Sequence, residues 1–293
     1  MSIPSLKNYA ANIDPHENKP DWTLDNDRAV VLVHDMQSYF VNFFEPNHQA
    51  LDNAIANMAT ILTQARAQKV PVIYTAQPAK QDAKHRGLLT DFWGEGLKEE
   101  ADTQIVPALA PEPQEPVFTK WRYSALQRTD LKDWLHQQGR DQMVIVGIYA
   151  HIGIMATSLD AFMNDIQTFV VADAVADFNH DNHVQGLDFV AKRCGVVVDS
   201  NYVQTQLAPP TALSIDEVHQ QVIELLDLSA EEVSISDNLI FAGLDSVRLM
   251  TLLGQWRAMG INIELAEIAP LTSIQQWYQA FESRFNQARS VPA

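Results

Sequence analysis

The sequence predicts an α/β fold, in which a parallel sheet carries helices on both faces in three layers, followed by a small all-α helical bundle. Over the first two thirds of the 293 residues, short β-branched runs alternate with helical patterns. The runs are continuously apolar, which is typical of strands buried on both faces. After QLAPPTALS (206–214) the strand-like runs stop and only helical patterns remain.

Six strands are predicted, with helical segments between them. The candidates are RAVVLVHD (28–35), VPVIYTAQ (70–77), PVFTKW (116–121), QMVIVGIYA (142–150), TFVVADAV (168–175) and CGVVVDS (194–200). Apolar residues recur at helical spacing in the intervening segments 50–69 and 154–166. Repeated strand–helix–strand units predict a parallel sheet, and functional side chains in such sheets gather at the carboxyl ends of the strands.

The domain organisation follows from the change of pattern. We expect residues 1–207 to form the α/β domain, 208–213 a linker and 214–293 the helical bundle. Pro209 and Pro210 can neither extend a strand nor continue a helix, which favours a linker there. Helical spacing in the bundle covers 215–228, 246–259 and 273–285.

Charge and composition narrow the class of protein. The net charge of −17 argues against binding to nucleic acid or to anionic membranes, and it favours partners with basic faces. No run approaches the roughly 20 apolar residues of a membrane span, and the polar N-terminus lacks a signal core, so we expect a cytoplasmic protein. The single cysteine, Cys194, excludes an intramolecular disulfide and is expected to be a buried structural residue.

The stretch GLDSVRLM (243–250) places Ser246 where a polar loop becomes an apolar helix. Ser and Asp both cap helices well, so a helix cap is the simplest interpretation. The context favours another role, because a glycine turn precedes the serine and the surrounding bundle is acidic. From Ala212 onward, eleven Asp and Glu residues face four Lys and Arg residues.

The longer segment DNLIFAGLDSVRLM (237–250) resembles the phosphopantetheine attachment site of carrier proteins. The resemblance implies a 4'-phosphopantetheine arm attached covalently to Ser246, with its phosphodiester facing the positive end of a helix. Leu244, Val247 and Met250 would then form an apolar docking surface.

Three predicted strands of the first domain end in a charged residue or a glycine-containing turn. Asp35 follows the first strand in VLVHDMQSYF, Lys120 ends the third in FTKWRYSA, and the fourth leads into the glycine-containing turn of GIYAHIGIMATS (147–158). Taken singly, Asp35 could cap a helix and Lys120 could be a surface lysine. Because the carboxyl ends of parallel strands lie along one edge, we expect the three segments to meet at one pocket.

These segments, with YTAQP (74–78) and RGLLTDFWG (86–94), resemble the isochorismatase-like hydrolase family over most of residues 1–205. Its cysteine-bearing members, of the nicotinamidase and carbamoylsarcosine-hydrolase types, use an Asp, a Lys and a nucleophilic Cys. Asp35 and Lys120 match the first two, whereas Gly153 stands where the cysteine would be. Without that thiol, covalent amide hydrolysis is not expected. The glycine version is similar to true isochorismatases.

The resemblance implies hydrolysis of the vinyl ether of isochorismate to 2,3-dihydroxy-2,3-dihydrobenzoate and pyruvate, with no metal. Asp35 would protonate the methylene carbon as general acid before water attacks the oxocarbenium carbon. The neighbouring Lys120 should lower the pKa of Asp35 while burial should raise it, and the sequence leaves that balance open. Lys120 could instead hold the substrate or stabilise the developing anion on Asp35.

The same resemblance assigns the pocket wall. Gln77 and Arg86 match substrate-contacting positions, with Arg86 suited to a carboxylate. Phe40, Trp93 and Tyr149 would close the pocket. A non-proline cis peptide is expected at Ile148–Tyr149.

Together the two halves resemble the bifunctional isochorismatase–aryl carrier proteins of catechol siderophore biosynthesis, a route to iron acquisition. The resemblance implies that 2,3-dihydroxybenzoate is carried as a thioester for nonribosomal peptide synthesis. The implied partners are isochorismate, a phosphopantetheinyl transferase, a 2,3-dihydroxybenzoate-AMP ligase and the condensation domain of a nonribosomal peptide synthetase. A homodimer through the hydrolase domain is also expected.

Three alternatives remain. His180, Asp181 and His183 have loose metal-ligand spacing. No further ligand at a recognisable spacing appears, and Asp177 is expected simply to cap a helix there. The first domain could be an amidohydrolase with another nucleophile, which ammonia release from simple amides would reveal. It could also be an inactive scaffold joined to a carrier, which pyruvate formation from isochorismate would exclude.

Overall fold

A computed structural model of the chain describes residues 3–10, 16–208 and 213–286. The chain divides into two compact units, Met1–Leu207 and Ala208–Ala293. Most of the predicted linker, residues 209–212, lies outside the described residues.

The first unit is built on a six-stranded parallel sheet with the strand order β3-β2-β1-β4-β5-β6. All six predicted strands are confirmed, with bounds that shift by up to a few residues. They are β1 Ala29–His34, β2 Val72–Ala76, β3 Val117–Thr119, β4 Gln142–Ile148, β5 Gln167–Ala176 and β6 Val196–Val198. From β1 the chain adds strands toward one edge of the sheet, and from β4 it adds them toward the other edge. Open α/β sheets bind ligands in the crevice between two such strands.

Helices cover both faces of this sheet, as predicted. They are α1 Ser38–Val41, α2 Gln49–Ala67, α3 Ala83–Arg86, α4 Leu89–Trp93, α5 Leu131–Gln137, α6 Met155–Phe162, α7 His180–Arg193 and α8 Ser200–Leu207. Short 3-10 turns span Glu100–Thr103 and Pro107–Leu109, and a π-helical turn, Ala150–Ile154, leads from β4 into α6.

The continuous apolar runs are explained by two cores, one on each side of the sheet. Along β1, Val31 and Val33 face the core that contains α2 and α8, whereas Val30 and Leu32 face the core that contains α5, α6 and α7. Every residue of β1 is buried. Burial of each Val or Leu contributes about 1.5–3 kcal/mol, so the run specifies a central strand.

The second unit is a helical bundle, and its three longer helices confirm the predicted segments. Its helices are α9 Ile215–Leu226, α10 Ser246–Ala258, α11 Leu265–Ile268 and α12 Ile274–Phe285. The core is aromatic, with the Trp256 ring 6.0 Å from Trp277 and 5.1 Å from Phe285 in edge-to-face contacts. α9 begins with a capping box between Ser214 and Glu217.

None of the helices in the described ranges is long and apolar enough to cross a membrane. Cys194 is buried and unbridged, as predicted, and burial raises the pKa of its thiol to about 11. The Ile148–Tyr149 peptide bond is cis, as the family resemblance implied.

Candidate active site and carrier site

The carboxyl ends of four neighbouring strands meet at one pocket. Asp35, Gln77, Lys120 and the turn that contains Gly153 follow β1, β2, β3 and β4 respectively. All eight hydrolase residues singled out from the sequence line this pocket: Asp35, Phe40, Gln77, Arg86, Trp93, Lys120, Tyr149 and Gly153.

Asp35 is the centre of a buried polar cluster. Lys120 Nζ donates to Asp35 Oδ2 at 2.8 Å, and Thr75 Oγ1 donates to Oδ1 at 2.8 Å. The Asp35 amide in turn donates to Thr75 Oγ1 at 3.2 Å. Both carboxylate oxygens are therefore fixed before any ligand binds.

The pKa of Asp35 is set by two opposing effects. Burial acts to raise the pKa of Asp35, but the charge of Lys120 and the hydrogen bonds from Lys120 and Thr75 outweigh it, so the pKa lies below its ordinary value. Asp35 therefore favours the charged carboxylate form beside Lys120.

Arg86 offers an unused cationic group to the pocket. The side chain is buried, and its Nε donates to the Gly94 carbonyl. Within the described part of the chain, Arg86 Nη1 is buried without a hydrogen-bond partner, and no carboxylate forms an ion pair with this residue. A buried guanidinium with a free N–H group is expected to bind an anion.

Aromatic side chains form the rest of the wall. Tyr149 OH donates to the Phe40 carbonyl at 2.8 Å, and its ring packs edge-on against Phe178, with centroids 4.8 Å apart. The Trp93 ring also contacts Phe178 edge-on, and its Nε1 donates to Tyr123 OH at 2.8 Å. Such a wall suits a small ring-shaped ligand and excludes water from the charged groups.

Several lining residues were not among the predicted site residues: Ile3, His34, Tyr39, Arg122, Tyr123, Ile152 and Phe178. His34 and Phe178 each have a sequence signal, since His34 directly precedes Asp35 and Phe178 comes just after β5. Ile3 reaches the pocket from far upstream of the first strand, and no pattern indicates that contact.

The side chains of the predicted histidine cluster at the start of α7 differ in their surroundings. His183 is buried and bonded to Tyr9 OH and the Ala172 carbonyl, whereas Asp181 is fully exposed. Within the described ranges no group of three or more His, Cys, Asp or Glu side chains could hold a metal ion.

The expectation that Asp177 caps a helix is wrong, because Asn179 caps α7 and Asp177 binds the His151 amide and imidazole at 2.6 Å each.

The structure distinguishes Asp245 from Ser246. Asp245 is the cap of α10, because its Oδ1 accepts from the Arg248 amide at 2.8 Å. Ser246 is the first helical residue and is exposed, and its hydroxyl has no hydrogen-bond partner among the residues described. Gly243 adopts φ +101°, which a residue with a Cβ rarely adopts, and its carbonyl accepts from Arg248 Nη1 at 2.7 Å.

The apolar surface near Ser246 differs partly from the expectation. Val247 and Met250 are exposed as predicted, but Leu244 is partly buried against the core of the bundle. Phe241, which is 90% exposed, and Ile240 lie just before the serine in sequence and were not predicted.

A pocket with a buried Asp–Lys pair and a glycine at position 153, in a chain that also has an exposed serine at a helix start, is typical of a hydrolase fused to a carrier domain. Family models agree: the isochorismatase domain matches residues 29–202, and the phosphopantetheine attachment site matches residues 216–281. The chain belongs to the isochorismatase family and is an isochorismatase hydrolase with a carrier domain.

Relatives of known sequence match nearly the whole chain. The "Isochorismatase" of Bacillus subtilis (strain 168) is 40% identical over 304 residues, covering 98% of this chain and 97% of that protein. "Enterobactin synthase component B" of Escherichia coli (strain K12) is 42% identical over 282 residues, covering 95% and 98%. A cysteine hydrolase from Pseudomonas syringae pv. phaseolicola 1448A shares the fold, with a TM-score of 0.59 at 23% identity over 64% of this chain and 97% of that one.

Proposed function

We propose that the hydrolase domain cleaves the vinyl ether of isochorismate to 2,3-dihydroxy-2,3-dihydrobenzoate and pyruvate. The Asp35–Lys120 pair carries this proposal, because it faces a pocket in which position 153 has no side chain. An enol ether needs a proton on carbon and then water, and it needs no protein nucleophile. The name of one nearly full-length relative, "Isochorismatase" of Bacillus subtilis, supports the same reaction.

The proton comes from Asp35 in this proposal, although Lys120 and Thr75 favour the carboxylate. Isochorismate brings two carboxylates into the pocket, and nearby negative charge raises the pKa of a carboxyl group. Asp35 then protonates the methylene carbon, and Lys120 stabilises the carboxylate that forms. Water adds to the oxocarbenium carbon and returns a proton to Asp35. The resulting hemiketal collapses to pyruvate and the diol.

Two further residues orient the substrate. Arg86, with its free buried Nη1, binds one substrate carboxylate. Gln77 is held at the pocket through its main chain, because Gln77 N donates to Gln37 Oε1 at 2.7 Å and its carbonyl accepts from Gln37 Nε2 at 2.8 Å. Its side chain is thereby presented to the ligand.

Replacement of Asp35 by Asn tests the proton donor. The amide is nearly isosteric but cannot deliver the proton, so pyruvate release from isochorismate should fall by about 10²–10⁴-fold. The matched control is Asp52→Asn, at an exposed position in the first turn of α2, and it should leave the rate unchanged. Near-normal pyruvate release from folded Asp35→Asn would remove Asp35 from this role. Ammonia release from simple amides by the unaltered protein would favour the amidohydrolase instead.

We also propose that Ser246 carries the 4'-phosphopantetheine arm and that the arm bears 2,3-dihydroxybenzoate as a thioester. Exposure of the serine and the free state of its hydroxyl support attachment there. The proposed partners are a phosphopantetheinyl transferase, a 2,3-dihydroxybenzoate-AMP ligase and a condensation domain, which would contact the apolar residues Phe241, Val247 and Met250.

We further propose a homodimer through the hydrolase domain and a cytoplasmic location, where the coenzyme A that donates the arm is found.

Replacement of Ser246 by Ala tests the attachment site. Incubation with coenzyme A and a phosphopantetheinyl transferase should increase the mass of the parent protein and leave Ser246→Ala unmodified. Ser236→Ala, which removes another exposed serine of the same unit, should still be modified. Because the hydrolase has its own core, Ser246→Ala should release pyruvate at the parent rate. Modification of Ser246→Ala would refute the assignment.

A further inference from the structure

The imidazole of His34 fills the place into which a side chain at position 153 would project. A Cβ built on Gly153 would lie 3.0 Å from His34 Nε2, 3.3 Å from Nδ1 and well inside contact distance of Cε1. Among the described residues other than the neighbours of Gly153 in the chain, the three atoms nearest to that point all belong to this ring. Residue 153 must therefore be glycine for as long as the ring holds its position.

The ring has little freedom to move. His34 ends β1 with no exposed surface, and its Nδ1 lies 2.8 Å from the Ile148 carbonyl. A carbonyl only accepts, so Nδ1 carries the proton and Nε2 faces the Thr157 hydroxyl at 3.4 Å. A ring bonded at one edge and packed at the other cannot rotate away as a flexible side-chain end could.

His34 does not act as an acid toward Asp35. Its Nδ1 is 3.9 Å from Asp35 Oδ2, beyond hydrogen-bond distance, and its proton is already given to Ile148. Burial also lowers its pKa to about 4, which keeps the ring neutral beside the Asp35–Lys120 pair at neutral pH. Its contribution to the site is the space it occupies.

We propose that His34 is a specificity-determining residue, which with Gly153 keeps a side-chain nucleophile out of the pocket. A thiol or hydroxyl at position 153 would have to start from a Cβ that overlaps the ring. The two positions therefore accept either an imidazole at 34 or a side chain at 153. That this selects ether hydrolysis rests on the proposed function, whereas the steric coupling of the two residues does not.

A double-mutant cycle in the full-length chain tests the coupling. Gly153→Ala should lower the unfolding midpoint of the hydrolase domain by roughly 5 °C, because the methyl group overpacks a rigid site. His34→Asn keeps an N–H group near the Ile148 carbonyl and removes the part of the ring that meets position 153. In that background, the further effect of Gly153→Ala should be near zero, a coupling that only contacting residues show.

Gly186→Ala is the matched control. A Cβ at Gly186 would lie 2.8 Å from the Ala150 carbonyl carbon and from His151 N, so its clash is with backbone and not with His34. It should destabilise the domain equally in both backgrounds. An equal effect of Gly153→Ala with and without His34→Asn would overturn the proposal. If Gly153→Ala alone does not fold, folding of the double variant His34→Asn with Gly153→Ala would support the proposal.

A chemical measurement tests whether the vacated space opens into the pocket. In the double variant His34→Asn with Gly153→Cys, iodoacetamide should alkylate the introduced thiol while leaving the buried Cys194 unmodified, as judged by mass mapping. A thiol at position 153 that reacts no faster than Cys194 would refute this part of the inference. Neither measurement uses isochorismate, so failure of the proposed function would be seen separately, as absent pyruvate release by the unaltered protein.

Discussion

At the scale of single residues, Asp35 shows how the site holds its geometry. Its φ of +51° lies in the left-handed region, which costs an ordinary residue roughly 1–2 kcal/mol. The reciprocal hydrogen bonds with Thr75 and the ion pair with Lys120 offset this cost. The conformation turns the chain sharply at the end of β1 and directs the carboxylate toward the pocket. Strain of this kind is typical of functional positions.

Two buried histidines predict how stability depends on pH. Burial lowers the pKa of both His34 and His183 to about 4, against 6.5 for an unfolded chain. Between these values the unfolded state binds more protons, so the stability of the hydrolase domain should fall as the pH is lowered from 6.5 toward 4. The pKa of Asp35 is depressed below 3.8, so the stability from its ion pair is lost only at still lower pH.

Replacement of His183 by Gln isolates one of these groups. Denaturant unfolding should be followed at several pH values. Between pH 6.5 and about 4, the free energy of unfolding should fall less steeply with decreasing pH than in the parent, because unfolding of the variant takes up close to one proton fewer. Leu187→Ala, one turn further along α7, should lower stability by the same amount at every pH. An unchanged pH slope in His183→Gln would show that this residue is protonated equally in both states.

At the scale of elements, the central strands were predictable because burial on both faces leaves a continuous apolar run. β1, β4 and β5 carry that signal directly. The segment 83–93 does not, since its helices α3 and α4 are only one turn long. Its apolar residues also mislead, because Leu88 and Phe92 point to solvent. Short helices held by tertiary contacts have too few residues to show a period.

The relation between His34 and Gly153 could not be read from the sequence. It depends on the pairing of β1 with β4, which sets His34 opposite Gly147, and on the π-helical turn that brings Gly153 back over the ring. Neither register nor turn type follows from hydrophobic pattern. Similarly, the sequence allowed either Asp245 or Ser246 to cap α10, and only the Asp245–Arg248 hydrogen bond distinguishes them.

At the scale of the whole molecule, the change of pattern near residue 207 corresponds to two separate sets of cores. Sheet residues and their covering helices form two clusters in the first unit, and the residues from Leu213 to Phe285 form another around Trp256 and Trp277. The order of elements and the convergence at the strand ends follow from sequence by general rules of α/β folds. By contrast, no sequence rule predicts that Arg86 Nη1 lacks a partner among the described residues, or that Phe178 packs edge-on against Tyr149.

Separate cores predict that the carrier unit can unfold while the hydrolase remains active. Trp256 has no exposed surface, and Trp256→Ala should cost about 3–5 kcal/mol, a large share of the ~4–12 kcal/mol expected for a domain of this size. Calorimetry should show the carrier transition lowered or lost and the hydrolase transition unmoved, with pyruvate release at the parent rate. Val247→Ala, an exposed change on the same helix, should leave both transitions in place. A parallel loss of pyruvate release in Trp256→Ala would mean that the hydrolase depends on a folded carrier.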